Sequence, residues 1–180
     1  MYAGHAAVAL ALKSRRPETA MLPLVLACYG PDWLEVPFMI PHAHEQMAMY
    51  SHSLLAIAVG GSLAALLYAF VVRRPGATVI LAGWLLHWPA DLLTGRKPLL
   101  DERHLVGLDL YRLPSVDFAL EAVVIAVGCY LYSRTMARTP AQRRLVGALA
   151  VVLMLLQAGM DFSFTWLTAR VTQMAVAQSG

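Results

Sequence analysis

The chain has 180 residues, of which 59% are hydrophobic and only 14% are charged, against roughly a quarter charged in an ordinary soluble domain. This composition excludes an ordinary soluble domain and predicts a membrane protein. The net charge of +3 comes from short basic clusters between apolar runs. Membrane topology explains such clusters better than nucleic-acid binding does, so we expect no nucleic-acid partner.

The apolar runs predict an all-α polytopic membrane bundle, a single domain over residues 1–180 with five transmembrane helices and a short N-terminal half-helix. The half-helix covers 3–12, and its length of about ten residues reaches only about half of a ~30 Å hydrocarbon core. The five longer runs follow in chain order at 19–40, 51–72, 77–93, 116–132 and 145–168.

Local residues predict how some of these helices begin and break. Gly30 and Pro31 should interrupt the helix at 19–40 and leave backbone carbonyls that need partners inside the membrane. Ser51 and Asp117 stand near the starts of their helices, where each is expected to act as an N-cap.

The distribution of Lys and Arg predicts the topology. Basic residues cluster at 13–16, 73–74 and 134–144, which marks these turns as cytoplasmic and the loops at 41–50 and 94–115 as outer. With this topology, five ionisable side chains fall at one depth in the outer half of the membrane. They are His5, Asp32, His52, His87 and Asp91.

This layer predicts a metal site. In LLHWPADLL, His87 and Asp91 are spaced i and i+4 and share one helix face. Ionisable side chains cost at least a few kcal/mol each in a bilayer unless they are paired or hydrated, so several at one depth imply a shared polar cavity. Three His and two Asp suit a divalent metal, zinc first, with manganese or iron as alternatives. Such an ion activates water in hydrolases, and Glu121, or Glu35 near Asp32, is the candidate catalytic general base.

Each residue also has a structural interpretation. His87 and Asp91 can form a hydrogen-bonded pair that holds helices together, and His5 and His52 can be interfacial. Asp32 after Pro31 can cap a broken helix segment. The alternative function is therefore a non-catalytic membrane subunit or assembly factor with a structural polar core. A small transporter is a weaker third hypothesis, because the chain has no internal repeat.

Several segments resemble one bacterial family, that of small membrane-bound metal-dependent hydrolases related to the LexA-regulated inner-membrane hydrolase, whose helical architecture is similar to zinc-dependent phospholipase C. The resemblance covers about 4–132 and rests on GHAAVALALKSRRPE, CYGPDWLEV, YSHSLL, LLHWPADLL and LVGLDLYRLPSVDFALEAV. It implies that the five residues of the layer bind the metal and that Glu121 is a functional acid. The chain departs from the family at 94–96, where relatives often carry a histidine.

The residues and the resemblance together predict a metal-dependent hydrolase of the bacterial inner membrane, multi-pass, with its site towards the outer face. The expected partner is a membrane lipid, cleaved as a lipid or lipid-linked ester or phosphoester; no particular protein partner is indicated. Four basic residues of the adjacent loop can hold a phosphate or bind anionic headgroups. They are Arg96, Lys97, Arg103 and Arg112.

Overall fold

The computed structural model describes residues 1–35, 50–72, 75–100 and 104–178, and over these ranges the chain is mostly helical. A 3₁₀ turn at Tyr50–His52 precedes α4, and a π-helical turn at Tyr68–Val72 continues it. In these ranges the α-helices are α1 Gly4–Arg15, α2 Met21–Cys28, α3 Gly30–Glu35, α4 Leu54–Leu67, α5 Ala77–Thr94, α6 Pro114–Met136 and α7 Pro140–Gln178.

Three helices of the described part are long and apolar enough to cross a membrane, over Leu54–Val72, Pro114–Met136 and Pro140–Ser163. Helix α5 has 18 residues, which include His87 and Asp91, and it is not one of the three. Helix α1 has 12 residues and is therefore about 18 Å long, which is shorter than a ~30 Å hydrocarbon core. The fold is thus a helical bundle compatible with a membrane, with three of the five predicted spans supported by length and composition.

The helix predicted at 19–40 is not continuous. The structure forms α2 and α3 instead, with Tyr29 between them, because Pro31 has no N–H to donate within a continuous helix. The remainder of that prediction, at 36–40, lies outside the described residues. So do 41–49, which contain His42 and His44, the basic turn at 73–74, and 101–103.

The observed first residues of the helices correct three sequence predictions. Helix α4 is capped by Ser53 rather than Ser51, because the Ser53 Oγ accepts the backbone N–H of Ala56 at 3.3 Å. Helix α6 starts at Pro114 without a side-chain cap, and Asp117 lies in its first turn. Negative charge is still favourable there, beside the positive end of the helix dipole.

Helix α7 starts five residues before its predicted beginning at 145, at Pro140. Thr139 and Gln142 form a reciprocal capping box at this point. The Thr139 Oγ1 accepts the backbone N–H of Gln142 at 3.2 Å, and the Gln142 Oε1 accepts the backbone N–H of Thr139 at 3.1 Å.

Close helix contacts bring the polar residues together. Helix α1 packs against α2 and α6, α5 packs against α2 and α4, and α6 packs against α7. A Cβ on Gly128 would lie 2.3 Å from the Ala7 carbonyl oxygen, and a Cβ on Gly30 would lie 2.2 Å from the Trp84 ring. Glycine is therefore required for α6 to approach α1 and for α3 to approach α5.

A short antiparallel hairpin lies at one end of α5. Strand β1 (Lys97–Pro98) pairs with β2 (Leu105–Val106). The backbone N–H of Leu54 donates to the Leu99 carbonyl at 3.0 Å, which ties this hairpin to the start of α4. The hairpin therefore places Lys97 next to the polar residues of α5.

Candidate metal centre

Four side chains from three parts of the chain converge on one point. Asp32 comes from α3, His52 from the 3₁₀ turn before α4, and both His87 and Asp91 from α5. One ligand atom from each residue lies within 4.8 Å of every other. His52, His87 and Asp91 are buried, whereas the Asp32 side chain is 39% exposed, so the group opens on the Asp32 side.

The ligand atoms are spaced evenly. The two Nε2 atoms of His52 and His87 lie 3.1 Å apart. The Asp32 Oδ1 lies 3.3 Å from the His52 Nε2 and 3.5 Å from the His87 Nε2. The Asp91 Oδ2 lies 3.4 Å and 3.5 Å from the same two nitrogens.

The separations that involve a histidine nitrogen are close to those of a metal site. Zinc bonds of ~2.0–2.2 Å place the corners of a tetrahedron about 3.3–3.6 Å apart, and these separations are 3.1–3.5 Å. Two imidazole nitrogens and two carboxylate oxygens are also a donor set that suits zinc and several other first-row divalent metals. The residues therefore fit a divalent metal ion by both spacing and chemistry.

The second nitrogen of His87 fixes the state of its ring. The His87 Nδ1 lies 2.9 Å from the carbonyl oxygen of Cys28, at the end of α2. A carbonyl only accepts hydrogen bonds, so Nδ1 carries a proton and Nε2 is the atom that faces the group, free to offer its lone pair to a metal when the ring is neutral. The break between α2 and α3 thus supplies the carbonyl that orients this histidine, which confirms that the break leaves a carbonyl in need of a partner.

His52 is oriented by a carboxylate. The His52 Nδ1 lies 2.7 Å from the Glu35 Oε1, and the Ser51 hydroxyl donates to the same oxygen at 3.0 Å. A carboxylate also only accepts, so the His52 Nδ1 donates and its Nε2 is the atom that faces the group. Carboxylate–histidine pairs of this kind are typical of metal sites, where they fix ring orientation and raise ligand basicity.

The two orienting bonds set which atoms face one another. Each Nδ1 is held by an acceptor, so the Nε2 atoms of His52 and His87 face each other across 3.1 Å. The nearest oxygens come from Asp32 and Asp91. When both rings are neutral, their Nε2 lone pairs and the carboxylate oxygens form a donor set that a divalent cation can bind.

Asp91 has further partners outside the group. Its Oδ2 lies 2.8 Å from the Lys97 Nζ, and its Oδ1 lies 2.9 Å from the amino nitrogen of Met1. The Met1 amino group also contacts the Thr94 Oγ1 at 2.6 Å and the Tyr111 hydroxyl at 2.5 Å. Burial, together with the negative charge of Asp91, raises the pKa of Tyr111 above its ordinary value, so this phenol remains neutral.

His5 lies beside the group of four. Its Nε2 lies 3.1 Å from the Asp91 Oδ1, which is not the oxygen that faces His52 and His87. The ring of His5 stacks on that of His87 with centroids 4.0 Å apart. The structure therefore brings four of the five predicted ligands into one metal-sized group and places the fifth against it; a ligand role for His5 stays a prediction.

Glu121 belongs to α6 and contacts the N-terminal end of α1. It is buried, and its carboxylate accepts the backbone N–H groups of Tyr2 at 3.1 Å and Gly4 at 3.0 Å. The amide oxygen of Gln157 in α7 accepts the N–H of Ala3 at 2.9 Å. These contacts satisfy donors that a helix start leaves unpaired. Gln157 was not predicted from the sequence, since its partner lies 154 positions away.

Comparisons with known proteins give no further assignment. No protein-family model matches the chain, and no curated protein and no solved structure matches it. The resemblance to membrane-bound metal-dependent hydrolases therefore stays a prediction.

Proposed function

We propose that this protein is a membrane-embedded, metal-dependent hydrolase that holds a divalent ion, most simply zinc, between Asp32, His52, His87 and Asp91. The observation that supports this best is the convergence of one possible ligand atom from each of these residues, all within 4.8 Å of one another, with both histidines oriented through their second nitrogens. The proposed substrate is a membrane lipid or a lipid-linked ester or phosphoester.

The shape of the site supports catalysis over a purely structural ion. Structural zinc sites are closed, whereas catalytic sites keep one position accessible to water and substrate. Asp32 is 39% exposed, so the group has an open side on α3. An ion held by these four residues would act as a Lewis acid and lower the pKa of bound water, which is the chemistry that hydrolysis requires.

The proposed hydrolysis moves one proton, which a carboxylate of the chain would carry. In the proposed reaction, the water oxygen forms a bond to the carbonyl carbon or phosphorus, the ester bond to the leaving oxygen breaks, and a water proton ends on that oxygen. Glu35, which is 23% exposed, and the buried Glu121 are the two candidates to accept and return the proton. The Glu35 Oε1 is held by His52 and Ser51, and both oxygens of Glu121 are held by backbone N–H groups of Tyr2 and Gly4.

The proposed location is a bacterial inner membrane with the site towards the outer face. The support is the sequence distribution of Lys and Arg, which marks 13–16, 73–74 and 134–144 as cytoplasmic. A cysteine placed at the exposed His104 should react with an impermeant maleimide in intact cells. The native cysteines, Cys28 and Cys129, are buried and give little background. Labelling only after permeabilisation would reverse the proposed orientation.

A panel of phospholipids and lipid-linked phosphates in detergent tests the activity directly. Metal-loaded wild type should release product from at least one substrate class, and His87→Ala should not. The matched control is His104→Ala, which changes an exposed histidine of the hairpin and should retain activity. Absence of product from metal-loaded wild type across the panel would refute the hydrolase.

One observation favours a second candidate, a non-catalytic subunit or assembly factor with a structural polar core. Asp91 already contacts Lys97 and the Met1 amino group, so its charge is balanced without a metal. In this candidate, the 3.1 Å contact between the Nε2 atoms of His52 and His87 is an ordinary hydrogen bond. A well-folded, metal-free protein whose stability does not change on metal addition would support it.

A further inference from the structure

A cavity of about 290 Å³ lies next to the candidate metal centre, between the N-terminal segment, α3 and α7. Its wall on α7 is apolar and consists of Leu153, Leu156 and Met160. These residues are spaced i, i+3 and i+7, so they share one face of the helix. At its other end the cavity reaches Tyr29 and Asp32. The cavity therefore runs from a membrane-type apolar surface to a proposed metal ligand.

We infer that this cavity is the subsite for one fatty-acyl chain of the substrate, with the hydrolysable end of the lipid at Asp32. Leu156 and Met160 are 58% and 39% exposed on a helix that is apolar enough to span a membrane. Their exposed faces open the cavity sideways towards the hydrocarbon in which acyl chains lie. This inference rests on the proposed function for the reaction but not for the binding of the chain.

The dimensions and the chemistry select an acyl chain over other occupants. A cavity of about 290 Å³ is near the lower end of the ~300–1,000 Å³ typical of small-molecule sites, so it accommodates one chain rather than a whole diacyl lipid. A partner helix is ~10–12 Å across with its side chains, which is too wide for this space. The polarity gradient from Met160 to Asp32 also matches an amphiphile, with a hydrocarbon tail and a polar end.

The cavity wall is held in place by buried hydrogen bonds. Gln157, on the turn of α7 between Leu153 and Met160, is fully buried, and its oxygen accepts the N–H of Ala3 at 2.9 Å. On the other side, the Tyr29 hydroxyl donates to the Tyr2 carbonyl at 2.9 Å. These contacts fix α7 and α2 to the segment before α1, so the cavity is preformed.

The test uses a monoacyl phosphatidylcholine with a diazirine in the middle of its chain, photo-crosslinked to the purified full-length protein. Labelled peptides are mapped in wild type, Leu156→Trp and Leu155→Trp. Leu155 is the matched control, since it is 67% exposed on α7 but does not line the cavity. We expect labels at 153–160 in wild type and Leu155→Trp, and a several-fold loss in Leu156→Trp. Equal labelling of all faces of α7, unchanged in Leu156→Trp, would overturn the subsite.

A second readout compares turnover of palmitoyl and butyryl esters. Filling the cavity in Leu156→Trp should lower the preference for the long chain by about tenfold or more, because each lost pocket contact costs discrimination. Metal content should not change, and butyryl turnover should fall less than palmitoyl turnover. If wild type cleaves no ester while the label still maps to the cavity, the proposed hydrolase fails and the subsite stands. Met160→Trp replaces Leu156→Trp if the latter does not fold, and an unchanged chain preference in both would contradict the inference.

Discussion

Two buried polar regions lie side by side in this bundle and satisfy their hydrogen-bonding groups in opposite ways. At the start of α1, the acceptors Glu121 and Gln157 meet backbone N–H donors. At the candidate metal centre, two histidine nitrogens and two carboxylate oxygens meet one another. Both regions are buried among apolar helices, so burial alone does not distinguish them.

The balance of donors and acceptors does distinguish them. A helix N-terminus presents unpaired N–H groups and a positive dipole end, which makes a carboxylate such as Glu121 favourable there without any ion. In the metal centre, the hydrogens on the Nδ1 atoms of His52 and His87 point away, to Glu35 and the Cys28 carbonyl. The Nε2 atoms therefore face the two carboxylates, and a divalent cation between the four residues would contact all of them. Lys97 lies at the edge of this group, with its Nζ 2.8 Å from the Asp91 Oδ2.

The largest expected effect is loss of metal. Asp91→Asn and His87→Ala each remove one of four ligands, and each should bring bound metal below the level of detection after dialysis. Asp91→Asn should also destabilise the protein by about 3–5 kcal/mol, because removal of one partner leaves buried charges uncompensated. Elemental analysis of the purified variants measures the first effect, and thermal unfolding measures the second.

The control for this prediction comes from the other region. Glu121→Gln should retain stoichiometric metal, since the Glu121 carboxylate faces α1 rather than the ligand atoms. Loss of metal in Glu121→Gln would show that the two regions are one site and would contradict the distinction between them.

The next largest effect is on stability at the start of α1. In Glu121→Gln, the amide N–H₂ replaces one of the oxygens that accept from Tyr2 and Gly4. A buried donor that faces donors costs about 1–3 kcal/mol. Thermal unfolding should show this loss at unchanged metal content, with Glu18→Gln on the exposed surface as the control. An unchanged unfolding temperature would contradict the role of Glu121 at the helix start.

A smaller effect is expected from the residue that orients His52. Glu35→Gln should keep the fold and lower metal affinity by about 10–100-fold, the usual consequence of losing a carboxylate that supports a ligating histidine. Titration against a chromogenic chelator measures the change. Wild-type affinity in Glu35→Gln would mean that the bond between Glu35 and His52 has no part in metal binding.

The smallest effect concerns Ser51. Its hydroxyl donates to the Glu35 Oε1 at 3.0 Å, and one such hydrogen bond contributes about 0.5–1.5 kcal/mol net. Ser51→Ala should therefore weaken metal binding by about two- to tenfold, less than Glu35→Gln does. Ser53→Ala, which removes the cap of α4 instead, should lower stability and leave metal affinity near that of wild type. A larger loss of affinity in Ser53→Ala than in Ser51→Ala would reverse this assignment.

The sequence was sufficient to predict the four residues that could hold a metal. The spacing of His87 and Asp91 in an apolar helix, and the shared depth that topology assigned to Asp32 and His52, both follow from the chain alone. Depth does not decide which oxygen of Asp91 a neighbour contacts, so the contact of His5 with the Asp91 Oδ1 could not be predicted, and its role as a ligand stays a prediction.

The contacts of Glu121 could not be predicted from the sequence, because they depend on the packing of helices that are distant in the chain. Its partners are at residues 2 and 4, and Gln157 contacts residue 3 from the far end of the chain. No periodicity in a single sequence fixes the register between α1, α6 and α7. The early start of α7, by contrast, was readable, because Thr139 and Gln142 have the spacing of a capping box.

The central claim is that Asp32, His52, His87 and Asp91 bind one divalent metal ion. The most direct test is elemental analysis of purified wild type combined with X-ray absorption spectroscopy at the edge of the metal found. We expect one first-row divalent ion per chain, in a shell of two imidazole nitrogens and two to three oxygens at ~2.0–2.2 Å. A folded protein that binds no stoichiometric metal after supplementation with zinc, manganese or iron, or a shell without imidazole, would contradict it.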